Sequence, residues 1–402
     1  MRLGVACGLA LALCGVADAQ TRRSPAALTT IGTIDSIYSP TLKEYRRVAI
    51  YTPPSYRQAI YAPHAYPVLY LLDGEAHFHS VSGLAQILGT GVNGTYVIPE
   101  MIVVAIPNTD RTRDLTPTHS LLATDTVEVP AFASSGGGRN FLNFIKTELI
   151  PHIDSAYRTE RYRLLVGHSL GGLTVIDALY TMPETFNAYI AIDPSLWWDN
   201  QVLLKKAQAY FSKSAPPARA LYVAQANTKD PFDTKQDIHF NSITAFNHLL
   251  ETGNRSGIRY AFKYYGDDSH GSVPMIAEYD ALRFIFSGYG LNIDSAMHRP
   301  ALVRERFAQM SAKLGYRALP PEKMIELFGQ AALATDTAKA LAFMQMNVDL
   351  YPKSANAFAE LGVTQLARAD TAKARAALEH ALELAPGDEP IRRKLQSIAG
   401  KR

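Results

Sequence analysis

The sequence predicts an α/β fold: a mainly parallel sheet covered by helices on both faces, followed by a small all-α region. Three observations carry this. Short apolar runs alternate with amphipathic stretches over residues 24–298, the pattern of strands joined by crossover helices. After about residue 300 the sequence turns rich in Ala, Leu, Glu, Lys and Arg and shows no strand pattern. A 34-residue repeat then appears, with Asp336–Ala340 (DTAKA) recurring as Asp370–Ala374. Hydrophobic residues make up 47% and charged residues 19% of the 402 residues, so the chain is globular rather than disordered. The net charge is +3 and no Lys/Arg block stands out, which gives no argument for a nucleic-acid partner.

Taken in order, Met1-Arg2, an apolar run to Val16 and Ala17-Asp18-Ala19 predict a signal peptide over residues 1–19. That places the protein in the periplasm or outside the cell. Both cysteines, Cys7 and Cys14, fall in this segment, so the body of the chain has no thiol nucleophile and no Cys-based metal site. No later stretch reaches membrane-spanning length. Strands are expected at Tyr45–Tyr51, Val68–Leu72, Ile102–Ile106, Tyr162–Val166, Ala188–Ile192, Ala220–Ala226 and Tyr260–Tyr265. Helices are expected at Asn140–Ile150, Leu170–Met182, Asp237–Thr252 and Met275–Phe286. Residues 24–298 form the first domain and 299–320 a linker helix. Residues 321–402 form the repeat region, and 34 residues is the tetratricopeptide period. About two and a half units are present, short of what stands alone, so the tail is expected to lean on the first domain. It also offers a surface for a protein partner or a homodimer.

The strongest chemical signal is Gly167-His168-Ser169-Leu170-Gly171-Gly172, a G-x-S-x-G core between a strand and a helix. Glycines two before and two after let the chain turn sharply while Ser169 is presented at the top of the sheet. Ser169 is the expected nucleophile. In sheets with this turn the order is Ser, acid, His. His270, in a polar turn after the last strand, is the expected base. The acid should follow Ala220–Ala226, where Asp230 is nearest the strand end. Asp233 and Asp237 are alternatives, Asp237 also as a helix cap, and a Ser–His dyad is a further one. The oxyanion should meet the backbone N–H of Leu170 and that of Glu75 or Gly74. Arg111 and Arg113 either grip a substrate or brace a loop. Trp197 and Trp198 either stack on substrate or pack the loop, and His239 is expected as a substrate contact. His77-Phe78-His79 has no carboxylate at ligand spacing and reads as pocket lining, so neither a metal nor an organic cofactor is expected.

Tyr70–Glu75, Ile102–Arg111, Arg113–Pro117, Gly167–Gly172, Asp193–Trp198 and His270–Val273 together resemble the putative esterase family. Its members include enterochelin-type siderophore esterases, S-formylglutathione hydrolases, feruloyl esterases and mycolyltransferases. The resemblance covers roughly residues 30–290 and is nearest the trilactone-siderophore branch, through Pro194-Ser195-Leu196-Trp197-Trp198. It implies an α/β-hydrolase fold and a serine esterase acting on a small-molecule ester, with Ser169 and His270 as carried-over catalytic residues. Two alternatives are an acyltransferase of the same fold and a non-catalytic scaffold that binds a protein through the helical tail.

Overall fold

Eight strands form one sheet in the order β1-β2-β4-β3-β5-β6-β7-β8. They are β1 (Thr33–Ser39), β2 (Glu44–Tyr51), β3 (Tyr66–Leu72), β4 (Ile102–Ile106), β5 (Thr159–His168), β6 (Ala188–Ile192), β7 (Arg219–Ala226) and β8 (Ile258–Tyr265). The computed structural model describes residues 29–399 apart from 91–95, 123–126, 214–217, 230–236 and 254–256, so the expected signal segment lies outside the described residues. β1 and β2 run antiparallel at one edge, and from β4 onward all neighbours are parallel.

β3 and β4 are buried along their whole length, as central strands covered on both faces must be. The helices are α1 (Gly74–Gly89), α2 (Arg111–Leu115), α3 (Gly138–Phe144), α4 (Ile150–Ala156), α5 (Leu170–Thr181), α6 (Trp198–Lys213), α7 (Ile238–Thr252) and α8 (Val273–Ile285). Side chains alternate across β3. Leu69 and Leu71 join Val81 of α1 and Ala281 of α8 on one face. Val68, Tyr70 and Leu72 join Phe141 of α3, Leu173 of α5 and Phe246 of α7 on the other. The expected helix over Asn140–Ile150 is one run of α3, a π turn at Ile145–Leu149 and α4.

The tail continues as α9 (Ile293–His298), α10 (Ala301–Leu314), α11 (Glu322–Leu333), α12 (Thr337–Leu350), α13 (Ala355–Ala367), α14 (Thr371–Leu384) and α15 (Glu389–Ala399). Its first helices share the α1/α8 core: Phe307, Met324, Phe328 and Phe343 belong to the same buried cluster as Leu69 and Phe286. From Gly32 on, the chain clusters as one compact unit. Phe328 is fully buried and meets Phe343 edge-on at 5.8 Å. Phe328→Ala is therefore expected to lower stability by about 3–5 kcal/mol, read as a shift of one cooperative urea transition. A tail transition separating from an unmoved transition of the sheet domain would contradict the shared core. No helix among the described residues is long and apolar enough to cross a membrane.

Candidate active site

β5 ends at His168 and α5 begins at Leu170, with Ser169 between them at φ 60°, ψ −119°. Residues other than glycine avoid this region, so the surroundings must hold it. They do. The Ser169 N–H donates to Ile192 O, and its carbonyl accepts from the N–H groups of Leu173 and Ser195, each at 3.0 Å. The glycines are needed for close approach. A Cβ on Gly167 would stand 2.4 Å from the Gly171 backbone, and one on Gly171 would stand 3.0 Å from Asp73 Oδ2. Ser169 Oγ lies 3.3 Å from Ser195 Oγ.

His270 stands beside this elbow, its ring 4.4 Å from that of His168. Its Nδ1 is 2.6 Å from Asp193 Oδ2. A carboxylate only accepts, so Nδ1 carries the proton and Nε2 is left with its lone pair. Asp193 follows β6 at φ 43° and has no exposed side-chain area. Its Oδ1 accepts the Ala226 N–H at 2.8 Å, and His239 Nε2 donates to Oδ2 at 3.0 Å. Burial opposes the Asp193 charge, but the hydrogen bonds from His239 and His270 outweigh it and hold the carboxyl well below the usual range.

Among the described residues, the carboxylate on His270 Nδ1 is Asp193 and not one of those expected after β7. His270 has a single Nδ1–H, and Asp193 after β6 takes it. Asp230 and Asp233 lie outside the described residues, and Asp237 caps α7 by accepting the Phe240 N–H at 2.8 Å. His239, expected as a substrate contact, spends its Nε2–H on Asp193 and stacks edge-on to His270 at 5.1 Å. Spacing along the chain did not reveal Asp193. The available signal was a carboxylate at the end of a strand next to the one that carries the elbow, where His168 pairs with Ile192.

The Arg residues divide. Arg111 donates from Nε and Nη2 to the two Asp73 oxygens, at 2.7 and 3.0 Å, and keeps 37% of its side chain exposed. Asp73 also accepts from Asn108 Nδ2, which reaches Glu75 Oε1 at 2.7 Å. Arg113 is consumed elsewhere, by Asp114 Oδ1 and both Glu44 oxygens. These carboxylates also flank the fully buried Arg46. The Arg113 bond leads the contacts that hold the Glu44 carboxyl down at about 2. Arg113 is therefore a brace, not a substrate contact. Trp198 is likewise removed from the substrate side. It is fully buried, meets Phe132 edge-on at 5.0 Å and donates Nε1–H to Thr118 O at 3.2 Å. Trp197 is only half-buried. Glu75 lies in the first turn of α1 and Leu170 in that of α5, where backbone N–H groups have no intrahelical acceptor.

Behind His168 lies a second titratable pair. Burial lowers His168 to about 4 and pushes His77 down as well, so both rings are neutral near pH 7. His77 Nδ1 is 3.6 Å from Glu278 Oε1, and burial pushes the Glu278 carboxyl up to about 8. The folded state therefore holds a proton that the unfolded chain releases near pH 4.5. This makes stability fall as pH rises from 4.5 to 8. Glu278→Gln removes that loss. Its Tm advantage over wild type is expected to grow across this window, to an equivalent of about 3–5 kcal/mol. Parallel Tm curves from pH 4.5 to 9 would show an ordinary carboxyl.

Residues 39–264 match the family described as "Putative esterase". The ferri-bacillibactin esterase BesA of Bacillus subtilis is 31% identical over 230 residues, covering 55% of this chain and 79% of the relative. The siderophore enterobactin esterase of Emericella nidulans is 28% identical, over 51% and 77%. The IroE-like serine hydrolase from Shewanella oneidensis superposes with a TM-score of 0.70 at 33% identity, covering 80% of this chain and 99% of that one. The α/β-hydrolase fold and these matches agree: the chain belongs to the putative esterase family and is a carboxylic ester hydrolase.

Proposed function

We propose that the protein is an exported serine esterase that cleaves a siderophore-type ester through an acyl-enzyme on Ser169. The observation that carries this reading is the 2.6 Å bond between His270 Nδ1 and Asp193 Oδ2 beside the strained Ser169. That bond fixes the tautomer in which His270 Nε2 is a base. Bonds between a nucleophile and its base tighten when substrate arrives. Ser169 then attacks the ester carbonyl while His270 takes its proton. The oxyanion is met by the N–H groups of Leu170 and Glu75 at two helix starts. His270 returns the proton to the leaving alcohol and activates a water that releases the acid. Asp193 stays ionised and steadies the imidazolium.

Arg111, whose Nη1 makes no bond among the described residues, and Trp197 serve as substrate contacts. The relatives named for bacillibactin and enterobactin esters point to a catecholate lactone as substrate. The start of the chain carries the export signal. We read the tail as tetratricopeptide-like: α12 and α14 begin and end 34 residues apart, capped by Asp336 and Asp370, and it buttresses the hydrolase core.

The test is hydrolysis of p-nitrophenyl acetate, p-nitrophenyl butyrate and a catecholate trilactone by the purified protein. The expected result is a kcat/KM for the trilactone at least about tenfold above the simple esters. Turnover of the simple esters with an untouched trilactone would reject the substrate class and leave the esterase.

A further inference from the structure

A cavity of about 150 Å³ lies at the end of the sheet opposite Ser169. Tyr66 at the start of β3, Glu100 just before β4 and Glu160 in the first turn of β5 line it from the sheet. Tyr316, Glu322 and Tyr351 line it from the helical tail. Six tyrosines contribute to the wall, and Tyr66, Tyr96, Tyr289 and Tyr351 among them are buried. The carboxylates Glu100, Glu160 and Glu322 have no ion-pair partner among the described residues. Lys323 also lines the cavity but acts on Glu100 only through space. Burial pushes all three carboxyls up, Glu322 to about 7, as expected of charges without a counter-ion. Two polar groups are left short of partners. Tyr96 is 3% exposed and its hydroxyl has no hydrogen-bond partner among the described residues, although it lies near enough to Glu100 for that carboxylate to oppose its ionisation. Glu100 Oε2 accepts the Ser55 hydroxyl at 2.6 Å, whereas Oε1 has only a stretched contact of 3.5 Å with the Ser55 N–H. Buried polar groups in this state call for a partner.

We propose that this cavity is a binding site for a small aliphatic amine in its protonated form. The spacing of the carboxylates decides between kinds of cation. Their oxygens do not gather within 4.8 Å of one another, so the three cannot close on a single metal ion. An ammonium group instead donates its separate N–H bonds to Glu100 Oε1 and Tyr96 Oη. The hydrocarbon part lies against the tyrosine walls, whose rings also attract positive charge. A volume of this size holds a molecule about as large as benzene, which suits a short alkyl chain. Because the lining comes from both the sheet and the tail, the bound amine stabilises the whole unit. The inference goes beyond the esterase reading and does not depend on which residue is the nucleophile.

The experiment titrates butane-1,4-diamine calorimetrically into the full chain at pH 8, with butane-1,4-diol as the uncharged molecule of the same length. The same two compounds are added during thermal unfolding. The variants are Glu100→Gln, which keeps the shape and removes the charge, and Tyr96→Phe, which removes only the hydroxyl. The expected result is one diamine per chain, a Tm that rises with diamine concentration, and at least about tenfold weaker binding of the diol. Affinity for the diamine is expected to fall at least about tenfold in Glu100→Gln and about threefold or more in Tyr96→Phe. No saturation by about 10 mM diamine, equal binding of the diol, or unchanged affinity in Glu100→Gln would overturn the proposal. Where Glu100→Gln does not fold, Tyr96→Phe decides, and unchanged affinity there would overturn the proposal instead.

Discussion

Ser169→Ala is expected to lower kcat for p-nitrophenyl acetate by about a million-fold while Tm changes little. Triad members act as a unit, so removing the nucleophile removes the covalent route. The backbone has no reason to relax. Alanine occupies φ 60° with a strain close to that of serine, and the bonds holding the turn come from the Ser169 N–H and C=O. The side chain gives up only its contact with Ser195. Hydrolysis at a substantial fraction of the wild-type rate, measured in protein purified free of host esterases, would contradict a Ser169 nucleophile.

Asp193→Asn is expected to lower kcat by about ten-thousand-fold, for a reason visible in the contacts. Both Asp193 oxygens accept: Oδ1 from Ala226 N–H and Oδ2 from two imidazoles. An asparagine amide must turn its NH2 toward one of these donors. Facing the imidazoles, it forces His270 into the tautomer with Nε2 protonated, which is no base. Facing Ala226, it leaves a buried N–H unpaired. The negative charge that steadies the imidazolium is absent in either case. The parallel variant Asp230→Asn is expected to turn over like wild type. The reverse ranking would move the acid to the β7–α7 loop.

What the sequence revealed was local. The elbow was legible because its causes are contiguous: Gly167 and Gly171 touch each other across Ser169. His270 was legible from its place after the last strand. Asp193 was not, because its bond to His270 spans 77 residues and depends on β6 lying beside β5, a register no spacing displays. Side-chain direction was equally hidden. Arg111 and Arg113 stand two apart, yet one faces Asp73 and the other the Glu44–Asp114 brace. Neighbouring Trp197 and Trp198 divide in the same way. β1 escaped notice because it is an edge strand whose Ile34 and Tyr38 remain exposed, so it forms no apolar run. Strands buried on both faces gave such runs, and Ile102–Ile106 and Ala188–Ile192 stand where the pattern placed them. The helices over Gly74–Gly89 and Trp198–Lys213 were missed. The first begins with the conformationally free Asp73-Gly74 turn, and the second is broken by Asp199, Asn200 and Gln201 at positive φ.

The central claim is that Ser169, activated through His270, is the residue acylated during turnover. The most direct measurement is peptide mass spectrometry after reaction with a fluorophosphonate. The expected result is a single adduct on Ser169, formed rapidly in wild type, far more slowly in Asp193→Asn and not at all in His270→Ala. An adduct on Ser195, whose Oγ lies 3.3 Å away, or equal labelling without His270, would contradict it.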